Sequence, residues 1–255
     1  MAKNLIFKIY SFLSTLIENS IFKNSNSFAL KNDLFIEGFQ SISVTKPINI
    51  DTNENELIKV NPYLAKIRLS EKQINDFVQK VFVENNVADY LFKNTGFNYY
   101  IIHITAYETE HIPENDSKKS FYANQWHKDG PYSKNTLKII LPLTDINNDN
   151  GAMQICSISN SRKISKYLFN SNISKEYSMF ESKKLEKIFI FNPHLCFHRA
   201  GNPKKTMKRR QLVFQINPSF SWSHNAYLYE TQLMMEPKFP LFNNKLSNKI
   251  KLKLD

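Results

Sequence analysis

The chain has 255 residues and a formal net charge of +11. With 42% hydrophobic and 22% charged residues, it has the composition of a globular protein, which excludes a disordered tail. Lysine is spread along the whole sequence instead of forming one stripe, and this argues against nucleic acid as a partner.

The N-terminal segment MAKNLIFKIYSFLSTLIENSIF has apolar residues at helical spacing, which predicts an amphipathic helix. Lys8 and Glu18 interrupt it, so it is too polar to span a bilayer, and no signal-peptide cleavage site follows. We expect the apolar residues to pack onto the rest of the protein; contact of residues 2–22 with a membrane surface is the alternative. The apolar residues are Ile6, Ile9, Phe12, Leu13, Leu16 and Ile17.

The two cysteines, Cys156 and Cys196, both lie in apolar, strand-like runs. We therefore expect buried free thiols in a reducing compartment, with a single disulfide as the alternative. Together with the lack of a spanning segment, this predicts a cytoplasmic protein. The sequence leaves the oligomeric state open.

The N-terminal third is expected to be helical or irregular. Residues 23–60 are polar and show no regular pattern. A helix is predicted to begin after Ser70, because Ser70 and Gln73 form a capping-box pattern and apolar residues follow at helical spacing. A second helix is predicted over residues 87–92.

Beyond Asn94 the sequence changes to short runs rich in β-branched and aromatic residues, which are typical of strands. The predicted strands cover residues 99–107, 121–129, 136–146, 152–158, 187–191, 195–200 and 209–217. The pair Asn150-Gly151 favours a tight hairpin between the third and fourth of them. The pattern indicates a mainly β sandwich or barrel with flanking α-helices. We expect residues 1–255 to form one domain, with its β core over 95–220, helical elements over 1–94 and an extension over 221–255.

The segment WHKDG (126–130) holds a histidine and an aspartate two positions apart. Side chains alternate along a strand, so His127 and Asp129 would point to the same side with Cβ atoms about 6.5–7 Å apart. That separation suits two ligands of one metal ion. The alternative is a polar strand end that runs into a Gly-Pro turn.

A third ligand would have to come from another part of the chain. His198 is the strongest candidate, because a strand-like run carries it and a Gly-Asn-Pro turn and an arginine-rich second strand follow; a buried core histidine is the alternative. His194 follows a proline at a turn, which indicates a surface residue. Two histidines and a carboxylate leave three positions open on an iron ion. Arg209, or Arg210 as the alternative, could hold the carboxylate of a ligand that chelates the metal.

Three segments together resemble the signature blocks of the phytanoyl-CoA dioxygenase family: WHKDG, LPLTDINNDNGAMQI (141–155) and FHRAGNPKKTMKRRQLVFQIN (197–217). The resemblance covers about half of the chain, roughly residues 95–220. It implies an Fe(II)- and 2-oxoglutarate-dependent oxygenase that uses O2, with a double-stranded β-helix (jelly-roll, cupin-like) core.

By this resemblance His127, Asp129 and His198 would bind iron and act in catalysis, and Arg209 would hold the 2-oxoglutarate carboxylate, with Arg210 as the runner-up. The sequence departs from the family in two places. It reads CSISNSRK (156–163) where a Pro-Gly-Ser-His turn is common, and Ala200 replaces a small hydroxyl residue. We expect a side chain of the strand 99–107 to compensate, and Thr105 and Tyr107 share one face of that strand with His103.

The resemblance implies hydroxylation of an aliphatic C–H bond of a small molecule, with release of succinate and CO2. Lipids, natural products, amino-acid derivatives and sugar derivatives are the substrate classes. The presence of Asp129 argues against halogenation, because related halogenases have a small residue there. A nucleic-acid-directed oxygenase is one alternative, although Gln215 and Ile216 stand where that group has a further arginine. A non-catalytic jelly-roll binding protein is the other.

Overall fold

The computed structural model describes residues 2–24, 33–130, 133–166, 176–225, 249–252 and 254. The helices are α1 (Ala2–Ile21), α2 (Asp33–Ile36), α3 (Glu71–Val78), α4 (Val87–Thr95) and α5 (Ile158–Lys166). A π-helical stretch (Gln79–Glu84) continues α3, and a short 3₁₀ helix covers Glu114–Asp116. The strands are β1 (Phe39–Ser43), β2 (Leu57–Asn61), β3 (Leu64–Ile67), β4 (Asn98–Glu110), β5 (Leu137–Pro142), β6 (Met153–Ile155), β7 (Ser178–Phe180), β8 (Lys187–Phe191), β9 (His198–Arg199), β10 (Lys208–Ser219), β11 (Ser223–Asn225) and β12 (Lys249–Lys251).

The strands of the described residues form two sheets. The large sheet has the order β1-β8-β5-β10-β4-β11-β12, and the β2–β3 pair joins it at β4. The small sheet has the order β7-β6-β9. Strands β5, β8 and β10 of the large sheet pack through apolar side chains against β6 and β7 of the small sheet. This confirms the predicted mainly β fold with flanking helices and a jelly-roll core.

One face of the large sheet is covered by α3, the π-helical stretch and α4. Apolar residues of β4, β5, β8 and β10 pack there with those of the helices into the main core. The predicted helix start is confirmed, since the side chains of Ser70 and Gln73 form the reciprocal capping box. The second predicted helix is α4, which ends where Gly96 adopts a left-handed conformation with φ 77°.

The opposite face of the large sheet lines the interior of the jelly roll. Its apolar part lies on β5 and β8 and meets the small sheet. Its polar part lies on β4 and β10, where every second side chain points inward. The inward polar residues of these two strands are His103, Thr105, Tyr107, Thr109, Arg209, Gln211 and Gln215.

The structure corrects several strand predictions. Residues 121–129 do not form a strand; they follow an irregular path in which Ala123 has φ 59°, and only His127 makes an isolated bridge, to His198. Gly151 does turn the chain, with φ 84°, but β6 pairs with β7 and β9 and not with β5. The expected Asn150-Gly151 hairpin is therefore wrong. The region 23–60 also contains β1 and part of the β2–β3 hairpin, where no element was expected.

The N-terminal helix forms as predicted but contacts the protein through the opposite face. Tyr10, Ser14 and Glu18 are buried, whereas the apolar residues expected in the core are exposed. The helix is held by polar contacts that the apolar pattern does not encode. Among the described residues, no helix is long and apolar enough to cross a membrane. Cys156 and Cys196 are free and buried, as expected.

Candidate metal centre

Three predicted ligands from two distant segments of the chain come together at one end of the interior. Nε2 of His127 lies 3.4 Å from Oδ1 of Asp129, and Nε2 of His198 lies 3.6 Å from the same oxygen. The three ligand atoms all lie within 4.8 Å of one another. Ligands of a divalent ion at about 2.0–2.2 Å lie roughly 3 Å apart when adjacent, so a small contraction would place all three on one ion.

The backbone fixes this geometry although residues 121–129 are not a strand. His127 and His198 exchange backbone hydrogen bonds of 3.1 and 3.0 Å, and Asp129 N donates to Pro193 O at 3.0 Å. The bridge aligns the two histidines side by side, with ring centroids 4.4 Å apart. The pair thus depends on a contact between segments about seventy residues apart.

Each imidazole is oriented by a backbone carbonyl. Nδ1 of His127 lies 2.8 Å from Gln125 O, and Nδ1 of His198 lies 3.1 Å from Cys196 O. A carbonyl only accepts hydrogen bonds, so Nδ1 carries the proton of the neutral ring and Nε2 keeps its lone pair. Both lone pairs therefore face Asp129, which is the arrangement that metal-binding histidines adopt.

Lys138 is the fourth side chain of the centre and carries a positive charge. Its Nζ lies 2.5 Å from Oδ2 of Asp129, so the two carboxylate oxygens have separate partners. Burial alone would raise the pKa of Asp129, but the nearby positive charge of Lys138 opposes this, and the pKa is held below its ordinary value. Asp129 is therefore ionised and can act as a ligand through Oδ1.

His194 is not the surface residue that its position after a proline suggested. Its Nδ1 lies 3.4 Å from the carbonyl oxygen of Asp129, and burial lowers the pKa of the ring to about 4. Its ring is thus neutral and lies beside the ligand set. No described contact places it among the three ligands.

The two candidate arginines point to opposite faces of β10. Arg210 donates to Glu108 at 2.5 Å, and Lys208 also contacts Glu108, at 2.8 Å. Arg209 is fully buried and points into the jelly-roll interior, on the face it shares with Gln211 and Gln215. Of the two candidate arginines, Arg209 is therefore the one that points into the interior. Although only a short turn segment separates them in sequence, β9 with His198 and β10 with Arg209 lie in different sheets and do not form a hairpin.

Arg209 is a buried cation without a counter-ion among the described residues. One guanidinium nitrogen, Nη1, donates to Gly151 O, while Nε and Nη2 are buried without a hydrogen-bond partner. Burial lowers its pKa, and the nearby Tyr107 and Tyr122 raise it. An isolated buried charge is strongly unfavourable. These two unpaired nitrogens thus fit an anionic ligand that presents two oxygens to Arg209.

A hydroxyl group lies directly across the strand pair from Arg209. Thr109 is the register partner of Arg209 on β4, it is fully buried, and its Oγ1 has no hydrogen-bond partner. Opposed side chains of an antiparallel pair have Cβ atoms about 4.5–5.5 Å apart. Thr109 can therefore supply, next to Arg209, the hydroxyl group that is missing because position 200 is an alanine.

Tyr107 and Thr105, both predicted site residues, lie further along the same face towards the metal ligands. Gln211 donates through Nε2 to the Tyr107 hydroxyl, so Tyr107 lines the space next to Arg209. Thr105 is paired with Val213 and is half-buried, without a described polar contact to either end of the site.

A polar row crosses the large sheet next to the metal ligands. His103, Gln215 and Lys138 are register partners on β4, β10 and β5. Both amide atoms of Gln215 are buried without a hydrogen-bond partner. Burial, followed by the charges of Lys138 and Lys66, lowers the pKa of His103 to about 4. His103 and Gln215 thus present neutral hydrogen-bonding groups beside the centre.

The three residues predicted as ligands do lie together and Arg209 points into the interior, but three neighbouring residues were not predicted. Thr109 lies two positions beyond Tyr107, so the alternation of β4 could have included it. Lys138 and Gln215 carry no local signal, because only the register of β5 against β10 brings them together.

Comparison with known proteins shows a likeness in fold alone. No protein-family model matches the sequence, and no curated protein matches it. The non-haem α-ketoglutarate-dependent epimerase SnoN from nogalamycin biosynthesis has a TM-score of 0.51 and 11% identity, over 72% of this chain and 80% of that chain. HygX from Streptomyces hygroscopicus, solved with nickel, 2-oxoglutarate and hygromycin B, has a TM-score of 0.50 and 9% identity, over 74% and 86%. The chain therefore shares the jelly-roll fold of these two proteins.

Proposed function

We propose that this protein is an Fe(II)- and 2-oxoglutarate-dependent dioxygenase similar to the phytanoyl-CoA dioxygenase family. In this proposal it hydroxylates an aliphatic C–H bond of a small molecule. His127, Asp129 and His198 hold the iron, and Arg209 with Thr109 holds the distal carboxylate of 2-oxoglutarate. SnoN and HygX, which have the same fold, are respectively described as α-ketoglutarate-dependent and solved with 2-oxoglutarate bound.

The observation that carries the proposal is the unpaired guanidinium of Arg209. A jelly-roll binding protein without a cosubstrate has no reason to bury a cation with two unsatisfied nitrogen donors. A dicarboxylate supplies the missing charge and accepts both hydrogen bonds. Arg209 lies on the inward face that also carries the residues next to the metal ligands.

The ligand set fits iron for a chemical reason. Two neutral imidazoles and one carboxylate form the donor set of non-haem Fe(II) oxygenases and leave positions for a bidentate keto acid and O2. Bound iron with 2-oxoglutarate and O2 supplies the oxidant for the C–H bond, with succinate and CO2 as co-products. The chain holds these partners and orients the substrate. Halogenation would require an open coordination position on the iron for a halide ion. In this proposal Asp129 takes that position, which favours hydroxylation.

The polar row next to the ligands favours a substrate that forms hydrogen bonds. Gln215 offers an unpaired donor and an unpaired acceptor, and His103 is a neutral imidazole at the pH of the cell. An unsubstituted hydrocarbon chain would leave these groups unsatisfied, at a cost of about 1–3 kcal/mol each. We therefore favour a polar natural product, an amino-acid derivative or a sugar derivative over a simple lipid chain.

One observation favours a non-catalytic binding protein as the second candidate. Lys138 already neutralises Asp129 at 2.5 Å, so the acidic ligand has a partner without any metal. Metal binding distinguishes the two candidates, because a metal-free scaffold would have no measurable affinity for Mn(II) or Co(II) at this site.

The test is calorimetric titration of the protein with Mn(II), followed by 2-oxoglutarate, together with detection of succinate after addition of Fe(II) in air. We expect one Mn(II) per chain, 2-oxoglutarate binding that requires the metal, and slow succinate formation. His127→Ala should lose metal binding, whereas His111→Ala, a histidine outside the centre, should retain it. Equal metal binding by wild type and His127→Ala would contradict the proposal.

A further inference from the structure

Helix α1 presents an apolar face to the outside of the protein. Seven large apolar side chains of this helix are between 39% and 57% exposed. They recur at helical spacing and form one continuous stripe along the outer side of the helix. The stripe consists of Ile6, Ile9, Phe12, Leu13, Leu16, Ile17 and Ile21.

Polar contacts fix the orientation of this helix. Glu18, on the buried side, accepts hydrogen bonds through Oε2 from Ser133 Oγ and, at 3.0 Å, from Asn135 Nδ2. Thr15 Oγ1 accepts from Lys134 N at 3.0 Å. A rotation of the helix that buried the stripe would break these bonds and expose Glu18. The apolar face is therefore held outward by the structure itself.

An exposed aromatic residue extends the stripe beyond the end of the helix. Phe220, at the tip of the β10–β11 turn, is 71% exposed. Its ring lies 4.7 Å from that of Phe22, in an edge-to-face contact, directly after the last turn of α1. The apolar surface thus includes a second element of the fold.

The charges around the stripe are positive. Glu18 is the only acidic residue of α1, and it is buried. Lys8 is exposed at the flank of the helix, and Lys23 is exposed just after its end. Lys134 is also exposed and lies next to Thr15, on the same flank as Lys8. Cations that flank an apolar stripe complement a surface of anionic lipid.

We infer that α1 and Phe220 dock the protein onto the surface of an anionic membrane, with the helix axis parallel to the bilayer. A second copy of the chain is a poorer occupant. The exposed lysines beside the stripe would face those of a second copy, and the like charges would repel each other. This inference does not depend on the proposed enzymatic function.

The test is co-sedimentation of the full chain with vesicles of phosphatidylcholine, with and without one-quarter phosphatidylserine. We expect binding that requires phosphatidylserine and weakens as the salt concentration rises. The double variant Phe12→Ser/Leu16→Ser should reduce the bound fraction at least tenfold, and Lys8→Glu/Lys23→Glu should also reduce it. The matched control Leu57→Ser/Val60→Ser removes two exposed apolar side chains of β2 and should bind as the wild type does.

Two results would overturn the inference. The first is wild-type protein that does not sediment with either type of vesicle. In that case two other occupants of the face can be distinguished. If the face forms a dimer, light scattering should detect the dimer, and Phe12→Ser/Leu16→Ser should dissociate it. If another part of the chain covers the face, the same variant should lower the melting temperature. The second is an unchanged bound fraction in both double variants of α1. All substituted residues are exposed, so a normal circular dichroism spectrum is the expected check on folding.

Discussion

Lys138 and Asp129 form an ion pair of 2.5 Å inside the jelly roll, and the other oxygen of the same carboxylate faces the two histidines. The ammonium therefore performs in the metal-free protein part of the neutralisation that a metal ion would provide. It also orients the carboxylate so that Oδ1 alone is directed at the ligand site.

Replacement of Lys138 by methionine should lower the stability of the metal-free protein. The carboxylate of Asp129 would then lose its charge partner, and we expect a loss of about 2 kcal/mol, or roughly 4–8 °C in melting temperature. A divalent ion restores the missing charge, so Mn(II) should raise the melting temperature of Lys138→Met by more than that of the wild type. Thermal unfolding with and without Mn(II) measures both effects, and exposed Lys134→Met is the control. An equal metal-induced shift in both proteins would contradict this role of Lys138.

The two arginines of β10 should respond in opposite ways. Arg209→Met removes a buried, unpaired cation, so the ligand-free protein should become more stable, while the affinity for 2-oxoglutarate should fall at least about 100-fold. Arg210→Met removes one of the two partners of the buried carboxylate of Glu108 and should lower stability with little change in that affinity. Calorimetry in the presence of Mn(II) and thermal unfolding give both quantities. The assignment fails if Arg210→Met loses 2-oxoglutarate and Arg209→Met does not.

Thr109→Val should weaken 2-oxoglutarate binding without any cost in stability. The hydroxyl is buried and has no protein partner, so its replacement by a methyl group removes an unsatisfied group. Loss of one hydrogen bond to a carboxylate corresponds to about tenfold in affinity. Thr105→Val, on the same face but paired with Val213, is the matched control and should have no such effect. A drop in melting temperature for Thr109→Val with unchanged affinity would show that the hydroxyl has a structural partner instead.

Gly151→Ala should displace the side chain of Arg209. The backbone of Gly151 has φ +84°, and an added Cβ would lie 2.7 Å from Gly201 O, so the turn has to move. We expect a loss of about 2 kcal/mol or more, together with weaker 2-oxoglutarate binding, because the Gly151 carbonyl accepts from the guanidinium. Gly130→Ala is the control, since its Cβ would meet nothing within 4 Å. Equal melting temperatures of the two variants would contradict the tight approach of Gly151 and Gly201.

Glu18 predicts a pH dependence of stability. Burial raises its pKa to about 7, although hydrogen bonds from Ser133 and Asn135 act in the opposite direction. Between pH 4.5 and 7 the unfolded chain loses this proton while the folded chain retains it, so stability falls as the pH rises, by up to about 3 kcal/mol. Glu18→Gln keeps both hydrogen bonds and should melt higher than the wild type at pH 8, with a smaller difference at pH 5.

The control for this pH effect is Glu54→Gln, which changes an exposed carboxyl. Unfolding curves at pH 5 and pH 8 for the three proteins test the sign directly. A Glu18→Gln variant that is less stable than the wild type at pH 8 would show that the buried carboxylate is favourable in its charged form.

Local signals predicted those parts of the fold in which the nearest neighbours in sequence determine the structure. The capping pair Ser70 and Gln73, and the alternation of β4 and β10, are of this kind. The pairing of strands distant in sequence could not be predicted. Strand β6 pairs with β7 and β9, although Asn150-Gly151 favoured a hairpin that would pair β6 with β5. The face of α1 was also predicted wrongly, because the buried Glu18 depends on partners more than a hundred residues away.

The grouping of His127, Asp129 and His198 was predicted for a partly incorrect reason. Strand alternation suggested that His127 and Asp129 point the same way, yet residues 121–129 are irregular and a bridge to His198 supplies the alignment. The order of residue types in the three blocks thus carried more information than the assumed secondary structure. Lys138 could not be predicted, because its role arises only from the register of β5 in the large sheet.

The most direct test of the central claim is anaerobic titration of the Fe(II)-loaded protein with 2-oxoglutarate, followed by visible absorption. A keto acid that chelates this iron gives a weak metal-to-ligand charge-transfer band. We predict that the band appears in the wild type, is absent in His127→Ala, and requires far more 2-oxoglutarate in Arg209→Met. The absence of a band in wild-type protein saturated with both ligands, or an unchanged band in His127→Ala, would contradict the account.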